Sequence, residues 1–323
     1  MFCRKIIFIV SVLALSSCFK EELPVGKVER GPVTFASFDM GIDYGISAYY
    51  SMTEKAFTGN ISKYDWDLSF SADSTNPYIR LNSGLGILAW KTPYTEFNQF
   101  TDTTGLMSEF LYDHPGGKQD SLALRDILQS ERVYILHLGR DKQLKNRGYI
   151  LIKSSLVQNS SYKVEVCLLD KSGENSFNVP FRSGYLEIPI NLKEAGILEE
   201  PISERWDFQF VQYQHVYHDP FQLYSVVGCM INPERFKACM YEGNKSFKEV
   251  NANDLNSAIL SNSRDVIGFS WKYYNLSLNQ YIIRPEKTYF LQEDNGKLYK
   301  IHFTGFYNSQ GEKGCPNFEF REL

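Results

Sequence analysis

Trp66-Asp67-Leu68-Ser69-Phe70 and, 140 residues later, Trp206-Asp207-Phe208-Gln209-Phe210 carry one five-residue pattern, and its alternation decides the fold class. Successive side chains of an extended chain point to opposite faces, so Trp66, Leu68 and Phe70 share one face and Asp67 and Ser69 the other. Pro77-Tyr78-Ile79-Arg80-Leu81-Asn82 reads as the neighbouring strand. The runs Val133-Tyr134-Ile135-Leu136-His137-Leu138 and Tyr162-Lys163-Val164-Glu165-Val166-Cys167 read as further strands. Thr288-Tyr289-Phe290-Leu291 and Leu298-Tyr299-Lys300-Ile301-His302-Phe303 flank Asp294-Asn295-Gly296, and Asn-Gly between alternating runs is a strong hairpin signal. Short helices are expected over residues 121–129 and 251–261. The fold class is therefore all-β, predominantly antiparallel, with minor helix.

The repeated pattern organises the chain. Each copy is followed by a turn-bearing segment and another apolar strand, so two related halves are expected. Glu199-Glu200-Pro201 is charged and holds a proline that interrupts strand pairing, which sets the expected boundary between residues 31–198 and 199–323. Composition agrees with a β-rich body, since aromatic residues make up 15% of the 323 positions and suit pleated, half-buried surfaces. A formal net charge of −4 argues against nucleic acid or an anionic membrane surface as the main partner.

The amino end has its own reading. Arg4 and Lys5 precede an apolar run that closes on Leu15-Ser16-Ser17-Cys18, the pattern of a lipoprotein leader over residues 1–17, with Cys18 as the lipidated residue. The run is about half the roughly twenty residues a spanning helix needs. Residues 18–30 would form a tether, and its Phe19-Lys20-Glu21-Glu22 resembles a Lys-plus-acidic export signal for the outer face of the outer membrane. In that oxidising setting Cys167, Cys229, Cys239 and Cys315 are free to pair; the spacing leaves open whether Cys229 and Cys239 bridge a hairpin or all four are buried thiols.

The stretches Trp66 to Phe70 with Tyr78-Ile79-Arg80-Leu81-Asn82, Trp206-Asp207-Phe208, and the closing run from Tyr289 to Asn308 together resemble the HmuY-type haem-binding surface lipoproteins. The resemblance implies two related HmuY-like β domains, a lipid anchor on the outer membrane, haem as the bound cofactor, and delivery to an outer-membrane haem receptor. In the best-known members two loop side chains, a His pair or a Met pair, hold haem iron. One of those positions falls after Phe269-Ser270, where this chain has Trp271, which cannot ligate iron; its indole would stack on a porphyrin or anchor the sheet.

The other candidate ligands follow from chemistry, because haem iron accepts an imidazole nitrogen or a thioether sulfur. His215 and His218 lie in Tyr213-Gln214-His215-Val216-Tyr217-His218-Asp219-Pro220, and on a straight strand their opposite parity points them to opposite faces. Met230 and Met240 follow in the same half. His114 precedes Pro115-Gly116-Gly117 as a loop residue, His137 sits in an apolar strand, and His302 shares a strand face with Lys300 and Thr304 that reads as wet. No nucleophile elbow, phosphate loop or His-Glu-x-x-His motif occurs, and Asp67 and Asp207, in equivalent positions, read as structural acceptors of turn hydrogen bonds. The expected function is non-catalytic binding of haem or a related tetrapyrrole for iron acquisition. A glycan- or protein-binding module that keeps the fold without a haem site is the alternative.

Overall fold

The computed structural model describes residues 30–158, 160–257 and 259–323. The expected leader at 1–17, Cys18 and the tether up to residue 29 lie outside the described residues. The first run of strands is β1 (Arg30–Ser37), β2 (Ile46–Ser51), β3 (Ala56–Ser62), β4 (Leu68–Ser71), β5 (Ile79–Leu81), β6 (Leu88–Lys91), β7 (Tyr134–His137), β8 (Tyr149–Val157) and β9 (Ser161–Leu168). The second is β10 (Asn175–Pro180), β11 (Glu187–Asn191), β12 (Gly196–Ile197), β13 (Phe208–His218), β14 (Phe221–Ile231), β15 (Phe236–Met240), β16 (Lys272–Asn275), β17 (Gln280–Ile283), β18 (Thr288–Glu293), β19 (Leu298–Tyr307) and β20 (Lys313–Glu322). The expected partner strands 68–71 with 79–81 and 288–293 with 298–307 are paired antiparallel.

Sheet order reveals how the two runs are related. One five-stranded sheet runs β10-β9-β8-β7-β6 and the other β1-β20-β19-β18-β15; one four-stranded sheet runs β12-β11-β4-β5 and the other β3-β2-β13-β14. These orders superpose if β1–β9 corresponds to β10–β15 and β18–β20. In each half the first three strands are exchanged: β10–β12 complete the sheets of the first run, and β1–β3 those of the second. The expected division at residue 199 separates the repeated patterns along the chain; the half built from β4–β12 lies wholly before it, while the other half takes β1–β3 from before it and β13–β20 from after it. One core forms from residues between Leu68 and Leu192, the other from Met40, Tyr50 and Met52 together with residues between Phe208 and Phe320.

The Trp-Asp pattern holds the exchange in place. Asp67 N–H donates to Ile190 O (2.8 Å) and Asp207 N–H to Tyr50 O (2.8 Å), so each aspartate grips the hairpin supplied by the other run. Its carboxylate then accepts the next free amide of that hairpin, Leu192 N–H on Asp67 (2.9 Å) and Met52 N–H on Asp207 (2.5 Å). An asparagine closes each corner: Asn82 N–H donates to Asp67 O and its amide to Trp66 O (2.9 Å), while Asn232 N–H donates to Asp207 O and its amide to Trp206 O (3.2 Å). An arginine pairs with each carboxylate, Arg147 with Asp67 (2.7 Å) and Arg235 with Asp207 (2.9 Å). Both aspartates are fully buried, the structural role expected of them.

Two expectations change, and one alternative left open is settled. The helices over 121–129 and 251–261 shrink to one α-helical turn at Ile127–Ser130 and a 3-10 stretch at Ala252–Ser257, because Leu122 is extended and the first segment lies flat on the core. The face carrying Lys300 and His302 is dry. The chain at 247–250 covers it, with Lys300 Nζ donating to Phe247 O and Val250 O and His302 stacked on Phe247 at 4.2 Å and bonded to Glu319 (2.6 Å). Cys167, Cys229, Cys239 and Cys315 are all free and buried, so Cys229 and Cys239 form no bridge.

Candidate functional site

β13 and β14 are eleven residues each, against four and three for their counterparts β4 and β5, so the second hairpin extends well past the framework. Strand β13 is unbroken to His218, and His215 and His218 point to opposite faces of it, as parity requires. His215 is half-buried, with its ring 4.9 Å from Phe269 and 4.8 Å from Tyr217. Burial holds its pKa below the ordinary histidine value; Asp265 opposes this, and His114 and His218 add to it.

His218 ends the strand on the other face and meets a residue from the first run. The rings of His114 and His218 lie 6.3 Å apart and within 15° of parallel. The loop carrying His114 is fixed from beneath by Asp113, whose buried carboxylate accepts Leu81 N–H (2.7 Å) and Ala123 N–H (2.8 Å) and is pushed up to about 6 by that burial. Arg264 N–H donates to Gly116 O (3.1 Å) and ties the same loop to the second run. Just before it, Leu111 pairs with Ala89. That pairing presents Phe110 and Tyr112 to Phe221, at ring separations of 6.1 and 5.5 Å. On this face Phe110 and Phe221 are 37 and 50% exposed, while Tyr217 and Tyr224, 41 and 42% exposed, lie on the opposite face with His215.

The remaining candidates sit elsewhere. Met230 is buried among Val211, Tyr213, Val226 and Phe269. Met240, at the end of β15, is part-buried against the second core. Trp271 is fully buried, stacked on Phe303 at 4.2 Å with Nε1 donating to Gly268 O (3.0 Å), so it is an anchor of the core rather than a wall of a cleft. His137 is bonded to Asn146, with its ring 4.9 Å from that of Tyr149. Thus the structure joins His218 to His114, with His215 behind them on the opposite face, and leaves both methionines and Trp271 apart. His114, Phe110, Tyr112 and Phe221 were missing from the expected set; no local signal marks them, because their meeting depends on the hairpin of one run reaching the loop of the other.

The His114 and His218 imidazoles could hold one metal centre between them. Metal–nitrogen bonds of roughly 2 Å place two imidazole centres roughly 6 Å apart once their nitrogens are turned toward one metal, and the 6.3 Å separation of the two rings matches that distance. His114 Nδ1 accepts a long bond from Gly116 N–H (3.3 Å), which a turn of the ring would release at little cost.

A family model described as HmuY protein matches residues 43–320. No curated protein matches the chain. Among solved structures it is similar to apo PinO from Porphyromonas gingivitis, at 9% identity over 91% of this chain and 98% of that one, with a TM-score of 0.36. An apo HmuY analog from Tannerella forsythia gives 11% identity over 92% and 98%, with a TM-score of 0.27. A putative HmuY-like heme binding protein from Bacteroides vulgatus gives 9% over 91% and 96%, with a TM-score of 0.24.

Proposed function

The chain belongs to the HmuY family, and from that premise we propose that it is a non-catalytic surface lipoprotein that binds haem or a related tetrapyrrole for iron acquisition. The observation that supports this reading is the His114–His218 pair beside Phe110, Tyr112 and Phe221. Haem would supply a flat apolar macrocycle and an iron that accepts imidazole nitrogen. His114 and His218 would hold the iron; the aromatic side chains would cover the macrocycle and exclude water, and at about 25 cal/mol per Å2 that burial would carry much of the affinity. His215, on the opposite face, would act on this site only through its charge. Lipidation at Cys18, a place on the outer membrane and delivery to an outer-membrane haem receptor belong to the same proposal.

The test is a haemin titration of the chain without residues 1–18, read by absorbance in both oxidation states. The expected result is a saturable one-to-one Soret shift that His114→Ala and His218→Ala each alter and that Met240→Ala leaves in place. Featureless, non-saturating absorbance would mean that the fold serves glycan or protein binding instead.

A further inference from the structure

A second groove, of about 470 Å3, opens between the edge of β14 and the hairpin β16–β17, and we propose that it receives an extended acidic segment of a partner polypeptide, which adds to β14 as an antiparallel or parallel strand. Hydrogen-bond parity fixes which main-chain groups of β14 face the groove. In an antiparallel ladder alternate residues turn both their N–H and C=O to the same side. Cys229 exchanges both groups with Gly268 (2.9 and 3.0 Å), and Ile231 N–H donates to Arg264 O (2.8 Å), so this parity of β14 faces away from β13. The register from Phe208↔Ile231 to His218↔Phe221 runs without a shift, which places Val227, Ser225 and Leu223 on the same outward side.

Val227 O is capped by Lys272 Nζ. Beyond it the main-chain groups of Ser225 and Leu223 have no partner among the described residues. An edge that is zipped along one stretch and left open along the next is the arrangement to which an added strand docks. Tyr273, Tyr274 and Tyr281 form the facing wall, which gives side chains of the incoming strand a surface to pack on. The charge of the groove selects the occupant. No aspartate or glutamate lines it; Lys272 commits its buried amine to Val227 O, with burial holding its pKa down to about 7, so Arg284 is the cation that faces an occupant, in a chain whose formal net charge is −4.

The experiment titrates the soluble chain with a fluorescein-labelled octapeptide of alternating glutamate and valine and, in parallel, with an oligogalacturonate of equal charge. Saturable peptide binding that weakens with added salt is expected, with slowed amide exchange at Leu223 and Ser225 and at least a roughly tenfold loss of affinity in Ser225→Pro. Proline at 225 removes an outward N–H and leaves the ladder to β13 intact, so the variant should melt like the parent. Should it fold poorly, Arg284→Glu serves instead: it keeps the edge, and affinity should move from the glutamate peptide to a lysine–valine one. The proposal is overturned if the peptide fails to bind at millimolar concentration, if Ser225→Pro binds it unchanged, if only the oligogalacturonate binds, or if the protected edge proves to be an interface with a second copy of the chain.

Discussion

Set side by side, the corner at Trp66-Asp67 with Asn82 and the corner at Trp206-Asp207 with Asn232 make the same bonds to exchanged hairpins, yet only the second grows into a long hairpin. What the two share is framework, and what they do not share is the long hairpin that carries the proposed site. The difference extends into the seam between the halves. By register Ile190 corresponds to Tyr50 and Leu81 to Ile231, so Glu187 corresponds to Ser47 and Arg80 to Met230. The first half therefore contributes Arg80 and Glu187 to the seam (3.4 Å), a pair that Arg264 of the second half joins (2.5 Å to Glu187), while the equivalent positions of the second half, Ser47 and Met230, are neutral. A duplicated scaffold is free to vary at positions the corners do not use.

The most damaging way to break the equivalence is at the two aspartates. Asp67→Ala would leave Leu192 N–H and Arg147 facing a cavity, and Asp207→Ala would do so to Met52 N–H and Arg235. Removing one partner of a buried pair costs about 3–5 kcal/mol, so both variants should lose that much in urea unfolding. A large loss in one alone would show that a single corner holds the exchange. Next come Asn82→Ala and Asn232→Ala. Each amide donates to a tryptophan carbonyl and to at least one more buried acceptor, so each variant should lose about 1–3 kcal/mol, measured the same way.

A third change sharpens the comparison by making the two hairpins more alike. Joining Tyr213 to Val226, a pair that bonds β13 to β14, through Asn-Gly removes the tip, including His215, His218 and Phe221. The largest buried side chain lost is Val216, worth about 1.5–3 kcal/mol on full burial. The shortened protein should fold with a loss in that range and give no saturable haemin shift. Retained binding would place the ligand elsewhere.

How far the sequence could be read follows the range of the forces involved. Alternation and the Asn295-Gly296 turn are local, and the strands they predict are present. The Trp-Asp repeat marked both corners, though not that each would grip the other run's hairpin, since pairing partners are set by tertiary contacts. The face of Lys300 and His302 looked wet because the covering segment lies some fifty residues earlier in the chain. His114 looked idle for the same reason, while His215 and His218, adjacent along the chain, drew attention that only His218 shares with a neighbour across the fold.

The smallest effect at neutral pH lies in the seam, where Glu200 and Glu187 are both turned inward. Glu187 is held below the usual carboxylate range against its burial by Arg264 and Arg80. Glu200, whose carboxyl accepts Tyr49 O–H, is pushed up to about 8, chiefly by burial and then by the charge of Glu187. A raised folded-state pKa means that the folded chain holds this proton more tightly than the unfolded chain does. The stabilisation is complete below the ordinary glutamate value of about 4.3 and is lost as pH rises through about 8. Glu200→Gln keeps the acceptor for Tyr49 and cannot ionise. Between pH 6 and 9 the parent should therefore fall in Tm relative to the variant by a few degrees, the span a change of about 1 kcal/mol produces in a chain of this size. Parallel melting curves across that range would mean that Glu200 reaches solvent, and the seam would then be charged only through Glu187 and its two arginines.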